Sequence, residues 1–325
     1  MRVLSGIKPT GTLHIGNYLG AARQFEVMQQ KNYDGFYFIA DYHTLNSYPD
    51  PVIFSDNTWS IVLDYLAFGL DPEKSTIFIQ SQVPEVVELA FILSNYTPMG
   101  LLQRAHSYKD KMAKGKQVFV GLFYYPLLMA ADILLYKSNV VPVGKDQKQH
   151  VEIARDIAEK FNLHFQKDVF TLPEPYISED VSVVPGTDGR KMSKSYENTI
   201  DMFAPLKVLK KQVMGIITDS TPLEDPKDPD KCTVFNIYKL FASKPDVETM
   251  ARKLCAGGYG YGHTKKDLIK VIQEFFTPMR QKREELSKDM NYVKKVIREG
   301  GDRARSIAVE TIKEVKKTTG LTRTI

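Results

Sequence analysis

Two short segments of this chain carry residue types that bind phosphate. The first is Lys8-Pro9-Thr10-Gly11-Thr12-Leu13-His14-Ile15-Gly16-Asn17, which follows an apolar run and leads into a stretch with helical spacing. A glycine-bearing loop that enters a helix N-terminus presents free backbone N–H groups and the positive end of the helix dipole. Gly16 lets a nucleotide approach the backbone, while His14 and Asn17 supply donors to a triphosphate. The loop lacks the Gly-x-Gly-x-x-Gly dinucleotide fingerprint and the Walker-type Gly-x-x-x-x-Gly-Lys-Ser/Thr string. Read alone, it is equally a glycine-punctuated turn capped by its histidine.

The second segment is Gly186-Thr187-Asp188-Gly189-Arg190-Lys191-Met192-Ser193-Lys194-Ser195. Its glycines and short polar residues predict a loop. Lys191 and Lys194 are point charges suited to phosphates. When a triphosphate is cleaved to a monophosphate and pyrophosphate, charge builds on the leaving β-phosphate. Ammonium groups that close at the transition state stabilise it selectively. A Lys/Ser loop is often only a solvated surface. This one, however, lies roughly 175 residues after the first loop, in an order that suggests one nucleotide site.

A third constellation sits in the apolar run 122–136, where Tyr125, Met129 and Asp132 are spaced i, i+4, i+7 and share one helix face. A carboxylate there needs a partner, because burying it unpaired costs several kcal/mol. An indole N–H is a donor only, so an aspartate beside a soft methionine and an aromatic ring suits a tryptophan side chain. The alternative is an aspartate paired with a core arginine or a backbone cap. Gly144-Lys145-Asp146-Gln147 lies where a strand gives way to a helix, the usual ligand position in parallel sheets. His43 follows the second apolar run, where a structural histidine is one reading.

The elements that must position these residues alternate. Arg2–Ile7, Gly35–Ala40, Ser75–Ser81 and Val140–Val143 read as strands. Gly16–Lys31, a segment from Asp50-Pro51 to about Phe68, Pro84–Asn95 and Asp146–Phe161 read as helices. Such alternation predicts a parallel sheet covered by helices. Residues 99–136 interrupt it with helices and a basic loop, 106–117. After about Met202 only helices are expected: 207–218, 233–242, 246–254, 264–290 and 302–318. An acidic, proline-rich connection, 221–230, lies among them.

The 325 residues suffice for two domains, and 43% hydrophobic with 26% charged residues is ordinary for a globular chain. No apolar run reaches bilayer-spanning length, so no membrane partner is expected. The N-terminus lacks a signal-peptide layout and the two cysteines form no metal-spaced cluster, which together suggest a cytoplasmic protein without a metal site of its own. From Gln281 to Ile325 twelve Lys+Arg face seven Asp+Glu, an excess equal to the chain's whole net charge of +5. A polyanion could lie along this basic tail, although a solvated mixed-charge helix face explains it too.

His14-Ile15-Gly16-Asn17 resembles the His-Ile-Gly-His signature of the class I aminoacyl-tRNA synthetases, and Lys191–Ser195 matches their Lys-Met-Ser-Lys-Ser loop unchanged. Asn17 replaces the second histidine, a substitution familiar in the tryptophan branch. The chain as a whole resembles the bacterial tryptophanyl-tRNA synthetases at four further strings: Ser5–Gly11, Met129–Tyr136, Val143–His150 and Gly258-Tyr259-Gly260. Lys8 departs from the glutamine of many relatives.

This resemblance implies an α/β fold, with a Rossmann-like parallel-sheet nucleotide-binding domain over residues 1–205. That domain would carry a helical insertion, about 75–136, with a homodimer interface. An all-helical C-terminal domain, 206–325, would bind the anticodon and end in the basic tail. The implied reaction joins L-tryptophan to ATP as tryptophanyl-adenylate, then transfers it to tRNA(Trp), releasing AMP and pyrophosphate. Lys191, Lys194, His14, Asn17 and Lys111 would act on the phosphates. Lys8, Pro9, Thr10, Gly16, Gly144, Lys145, Asp146, Val184, Met192, Ser193 and Ser195 would complete the ATP site. Asp132, Gln147, Tyr125, Met129 and His43 would hold tryptophan, and Mg2+ would ride on the phosphates rather than in a protein cage. The rival readings are a tyrosyl-tRNA synthetase, an adenylyltransferase making a small metabolite, and a non-catalytic tRNA-binding paralogue. The first usually shows Asp-Gln-Trp-Gly-Asn where this chain has Asp146–His150. The second would not need about 120 residues of helical domain, and the third would not be expected to retain Lys191, Lys194, Asp132 and Gln147 together.

Overall fold

In the computed structural model, residues 1–104, 108, 119–144, 147–177 and 183–321 are described. Five strands, β1 (Arg2–Ile7), β2 (Asp34–Ile39), β3 (Ser75–Ile79), β4 (Val140–Pro142) and β5 (Glu174–Tyr176), form one sheet in the order β3-β2-β1-β4-β5. Every neighbouring pair is parallel, with Ile7 opposite Ile39 and Ile39 opposite Ile79. The first four strands follow the apolar runs read above. β5 does not: it is three residues long, contains Pro175 and exposes Glu174 and Tyr176. An edge strand tolerates proline and needs little apolar patterning, which is why it escapes a reading of periodicity.

The principal helices are α1 (Pro51–Ala67), α2 (Glu85–Ser94), α3 (Val120–Leu135), α4 (Lys148–Phe165), α5 (Tyr261–Lys288) and α6 (Met290–Thr319). Asp50 caps α1 by accepting from the Val52 and Ile53 N–H groups, with Pro51 in the first turn, where a missing N–H costs nothing. The helix expected over Gly16–Lys31 is divided into a short turn, Ile15–Asn17, a wider turn, Tyr18–Ala22, and a helix, Arg23–Gln30. Asp289 separates α5 from α6 by capping the Tyr292 N–H, so α6 begins twelve residues before the expected Asp302.

Contacts divide the chain into two units. The first comprises Met1–Gly11, Gln24–Glu179 and Leu286–Ile325, and the second Thr12–Arg23 and Asp180–Glu285. The first holds the sheet, and its core joins Leu4, Phe36 and Phe78 on the strands to Leu89 on α2, Leu134 on α3, Phe161 on α4 and Ala308 on α6. Burial of this apolar surface is the main force holding the unit together. Helix α6 lies against β3 so closely that a Cβ on Gly300 would stand 1.9 Å from the Ile77 carbonyl oxygen. Arg305 pairs with Glu85 and Lys316 with Glu88, both at 2.9 Å, while Lys137 and Lys167 hold Glu314. Part of the C-terminal charge is therefore spent on α6's own packing.

The second unit is helical, with Leu206–Met214, Thr233–Tyr238, Lys244–Ala256 and most of α5. The rings of Tyr18 and Phe241 each meet those of Phe275 and Phe276 edge-on at 5.1–5.9 Å. This cluster ties the segment that follows His14 to α5. The proline-rich connection wraps the buried Lys227, whose ammonium donates to the carbonyls of Pro222, Leu223 and Asp225 at 2.8–3.0 Å.

Candidate active site

In the first unit the chemistry gathers where parallel strands end, the position at which open α/β sheets bind ligands. Lys8 follows β1, His43 lies in the helical turn Asp41–Thr44 just after β2, and Gln80 follows β3 directly. Asp132 projects from α3 and is 3% exposed. Its Oδ2 lies 2.8 Å from His43 Nε2, and its Oδ1 accepts from Gln80 Nε2 at 2.8 Å. Burial pushes the Asp132 carboxyl up, and the His43 and Gln80 hydrogen bonds oppose that shift. The alternative of a core arginine or a backbone cap is not what the structure holds: the partners are an imidazole and an amide.

The Tyr125 hydroxyl meets His150 Nε2, and its ring stands edge-on to His43 at 6.5 Å. The Lys8 ammonium lies 5.8 Å from the centre of the same ring. Tyr125, His43, Asp132 and Lys8 thus form one neighbourhood of aromatic faces around a buried acceptor. Met129 is half-buried on the same helix and packs on the core. Gln147 and Gly144 are half-buried too, with the Gln147 N–H donating to the Gly144 carbonyl at 2.9 Å. Pro9 is buried and Thr10 exposed. Lys111, Lys145 and Asp146 lie outside the described residues.

The second unit contains the His14–Asn17 turn and the lysine loop, both candidate phosphate sites. The His14 N–H donates to Asn17 Oδ1 at 3.2 Å, and the Asn17 N–H donates to His14 Nδ1 at 3.3 Å. This reciprocal cap places the imidazole proton on Nε2, because Nδ1 is accepting. It also turns the Asn17 amide so that its NH2 points away from the cap. Burial, and secondarily the charge of Lys194, push the His14 pKa down to about 4. His14 is therefore a neutral N–H donor near pH 7. Gly16 is confined between that ring and Met192: a Cβ there would lie 2.9 Å from His14 Nδ1 and 3.4 Å from Met192 Cβ. The segment is stitched to residues 200–202 by Ile15 N–H to Ile200 O and Met202 N–H to Leu13 O.

The lysine loop is anchored at its base. Pro185 and Lys191 bridge in antiparallel fashion, and the Met192 N–H donates to the carbonyl of the buried Val184 at 2.9 Å. Met192 is buried beneath it, whereas Lys191 and Ser195 are exposed and Ser193 and Lys194 half-buried. Asn198, buried, organises the turn: Oδ1 accepts from the Ser193 N–H at 2.7 Å, and Nδ2 donates to Asp188 and to the Lys191 carbonyl. Arg190 pairs with Asp188 and covers the Tyr196 ring. A methionine and an asparagine thus hold the backbone of the loop that carries Lys191 and Lys194.

Sequence reasoning missed Gln80, His150 and Asn198. Gln80 and Asn198 lie in no chemical motif. His150 closes the string Val143–His150 but carries no spacing to Tyr125 that a one-dimensional reading could use.

Among the described residues no helix is long and apolar enough to cross a membrane, and no three His, Cys, Asp or Glu side chains gather as a metal-binding group. The family model described as tRNA synthetases class I (W and Y) matches residues 1–277. The tryptophan–tRNA ligase of Fusobacterium nucleatum is 59% identical over 98% of both chains. That of Rhodopirellula baltica is 50% identical over 99% of this chain and 100% of its own. The crystal structure of tryptophanyl-tRNA synthetase from Campylobacter jejuni, complexed with ADP and tryptophan, superposes with a TM-score of 0.92 at 50% identity, covering 98% of this chain and 100% of the other. Its two motifs in order, its parallel sheet and these full-length relatives mean that the chain belongs to the class I tRNA synthetases of the tryptophan and tyrosine group, among the tryptophan–tRNA ligases.

Proposed function

We propose that this chain activates L-tryptophan with ATP to tryptophanyl-adenylate and transfers the acyl group to tRNA(Trp), releasing AMP and pyrophosphate. The observation that carries the substrate is Asp132, a buried acceptor held by two nitrogen partners beside the Tyr125 and His43 rings. A donor-only indole N–H completes its hydrogen bonding, whereas an aliphatic side chain would leave the carboxylate unanswered. Met129 and Tyr125 line the indole ring, and Gln147 takes the α-ammonium and carboxylate. The relative from Campylobacter jejuni, with ADP and tryptophan bound, supports both halves of this assignment.

For ATP, the neutral His14 and the Asn17 amide donate to phosphate oxygens from a rigid frame, and Gly16 gives the nucleotide room. Lys8, Pro9, Thr10, Gly144, Lys145, Asp146 and Val184 take the rest of the nucleotide, with Met192, Ser193 and Ser195 framing the lysine loop. The tryptophan carboxylate attacks the α-phosphorus, and the bond to the β-phosphate oxygen breaks. Lys191, Lys194 and Lys111 take up the charge that develops on pyrophosphate, an effect worth most in the transition state. Mg2+ enters on the phosphates as part of the substrate. The terminal ribose hydroxyl of tRNA then displaces AMP from the acyl carbon.

The region 206–325 contacts the anticodon, and basic residues of α6 not engaged in packing meet the RNA backbone. Two copies associate through the insertion, 75–136, where Val87, Phe91, Met99, Phe119 and Val120 expose apolar side chains. The enzyme works in the cytoplasm. Pyrophosphate exchange run with each of the twenty amino acids tests the reading: exchange with tryptophan alone is expected, and exchange with tyrosine, or with none, overturns it.

A further inference from the structure

Gln80 belongs to no motif, yet it is buried and both ends of its amide are engaged. Its Oε1 accepts from the Tyr42 backbone N–H at 3.1 Å, and its Nε2 donates to Asp132 Oδ1 at 2.8 Å. The two interactions are not exchangeable. A backbone N–H can only donate, so the amide oxygen must face Tyr42 and the NH2 must face Asp132. Tyr42 is itself held, because its N–H and that of Ser81 both reach Asp41 Oδ1 at 2.9 and 3.0 Å. The ends of β2 and β3 are thereby locked around one amide whose orientation has no alternative.

We propose that Gln80 is a positioning residue that sets tryptophan specificity, by presenting a fixed donor that keeps Asp132 an acceptor toward the substrate. This rests on the tryptophan reading above. A protonated Asp132 would present a hydroxyl and could satisfy itself on a ligand acceptor; with Oδ1 facing a clamped NH2 and Oδ2 facing His43, only a ligand donor fits. Selection for an N–H on the substrate ring then comes from the order of donors behind the carboxylate, not from the carboxylate alone. The titratable and charged groups facing this cluster among the described residues are His43 and Asp41 from the turn after β2, Tyr125 from α3 and Tyr136 at its end, Glu85 from α2, His150 from α4 and Lys8 after β1.

Gln80→Met and Gln80→Glu separate this role from simple packing. The readout is tryptophan-dependent pyrophosphate exchange between pH 6 and 8.5, against an analogue in which the indole N–H is replaced by sulfur. Gln80→Met removes the donor: the KM for tryptophan is expected to rise ~10-fold, the loss of about one hydrogen bond, with KM for ATP unchanged. The penalty grows toward pH 6, as Asp132 more readily takes a proton, and the preference for tryptophan over the sulfur analogue falls by a similar factor. Gln80→Glu keeps the acceptor for Tyr42 but sets a second carboxylate against Asp132; its penalty shrinks toward pH 6, where one shared proton restores the donor. The opposite pH trends are the signature. If either folded variant shows unchanged KM for tryptophan, or an unchanged preference over the sulfur analogue, the proposal is overturned. Should Gln80→Met fail to fold, Gln80→Glu alone decides. Failure of the wild-type chain to exchange with tryptophan overturns the underlying reading instead.

Discussion

Asp132→Asn changes the fewest atoms at the centre of the proposed tryptophan site. The Gln80 amide is oriented by the Tyr42 N–H, so the new asparagine must keep its oxygen toward Gln80 and turn its NH2 toward His43 Nε2. His43 can accept there by carrying its proton on Nδ1, an atom that is buried and without a hydrogen-bond partner among the described residues. That leaves one buried N–H unanswered, at a stability cost of about 1–3 kcal/mol, which a domain of this size tolerates. Binding suffers separately. The indole N–H loses a bond to a charged acceptor, worth about 1.5–3 kcal/mol, or roughly 10- to 150-fold in Kd. Calorimetric titration with tryptophan and, in a second series, with ATP reads the two ligands apart. Weaker tryptophan binding with ATP affinity within about twofold of wild type is expected from this loss. A folded Asp132→Asn protein with wild-type tryptophan affinity, or with equal losses for both ligands, would falsify the assignment of Asp132 to the indole.

Three further outcomes are expected. Lys194→Ala should slow adenylate formation in single-turnover assays by about 100- to 1,000-fold while leaving tryptophan Kd nearly unchanged, as for loss of a group that acts on transition-state charge; equal effects on both would count against the loop's role. His14 is held at about 4 when folded against about 6.5 when unfolded, so its contribution to stability is fully present above pH 6.5 and lost as the pH falls from 6.5 toward 4, by up to about 3 kcal/mol. Denaturant titrations of wild type and His14→Asn across that window should show the extra acid sensitivity only in wild type, and parallel curves would contradict the burial argument. Gly300→Ala gains up to ~1 kcal/mol of helix propensity but puts a methyl group 1.9 Å from the Ile77 carbonyl oxygen. Overpacking against backbone costs about 3 kcal/mol or more, so the melting temperature should fall by several degrees; a rise would mean α6 does not press on β3 as described.

How much of this was legible in one dimension depended on the length scale of the signal. The strands β1 to β3 declare themselves because each is an apolar run buried within a sheet, and α1 because Asp50-Pro51 suits the cap and first turn of a helix. The two segments proposed to bind phosphate stand out because their residue patterns are local: His14 and Asn17 cap each other three residues apart. Asp132 stood out as a carboxylate in an apolar helix, a contradiction that demands a partner. Its partners did not stand out, because His43 and Gln80 reach it from 89 and 52 residues away.

By itself, then, the sequence determined the order and type of the main elements, the two segments proposed to bind phosphate and the need for something to answer Asp132. Tertiary structure alone decided what answers it, which way the Gln80 amide points, and that a neutral His14 donates from Nε2. It also decided that α6, whose charge reads as free, lies against β3 and closes Arg305 and Lys316 onto α2. The physical reason is common to all of these. Hydrogen bonds and ion pairs between distant segments depend on which faces meet, and a pattern of residue types along a chain carries periodicity but not the pairing of its faces.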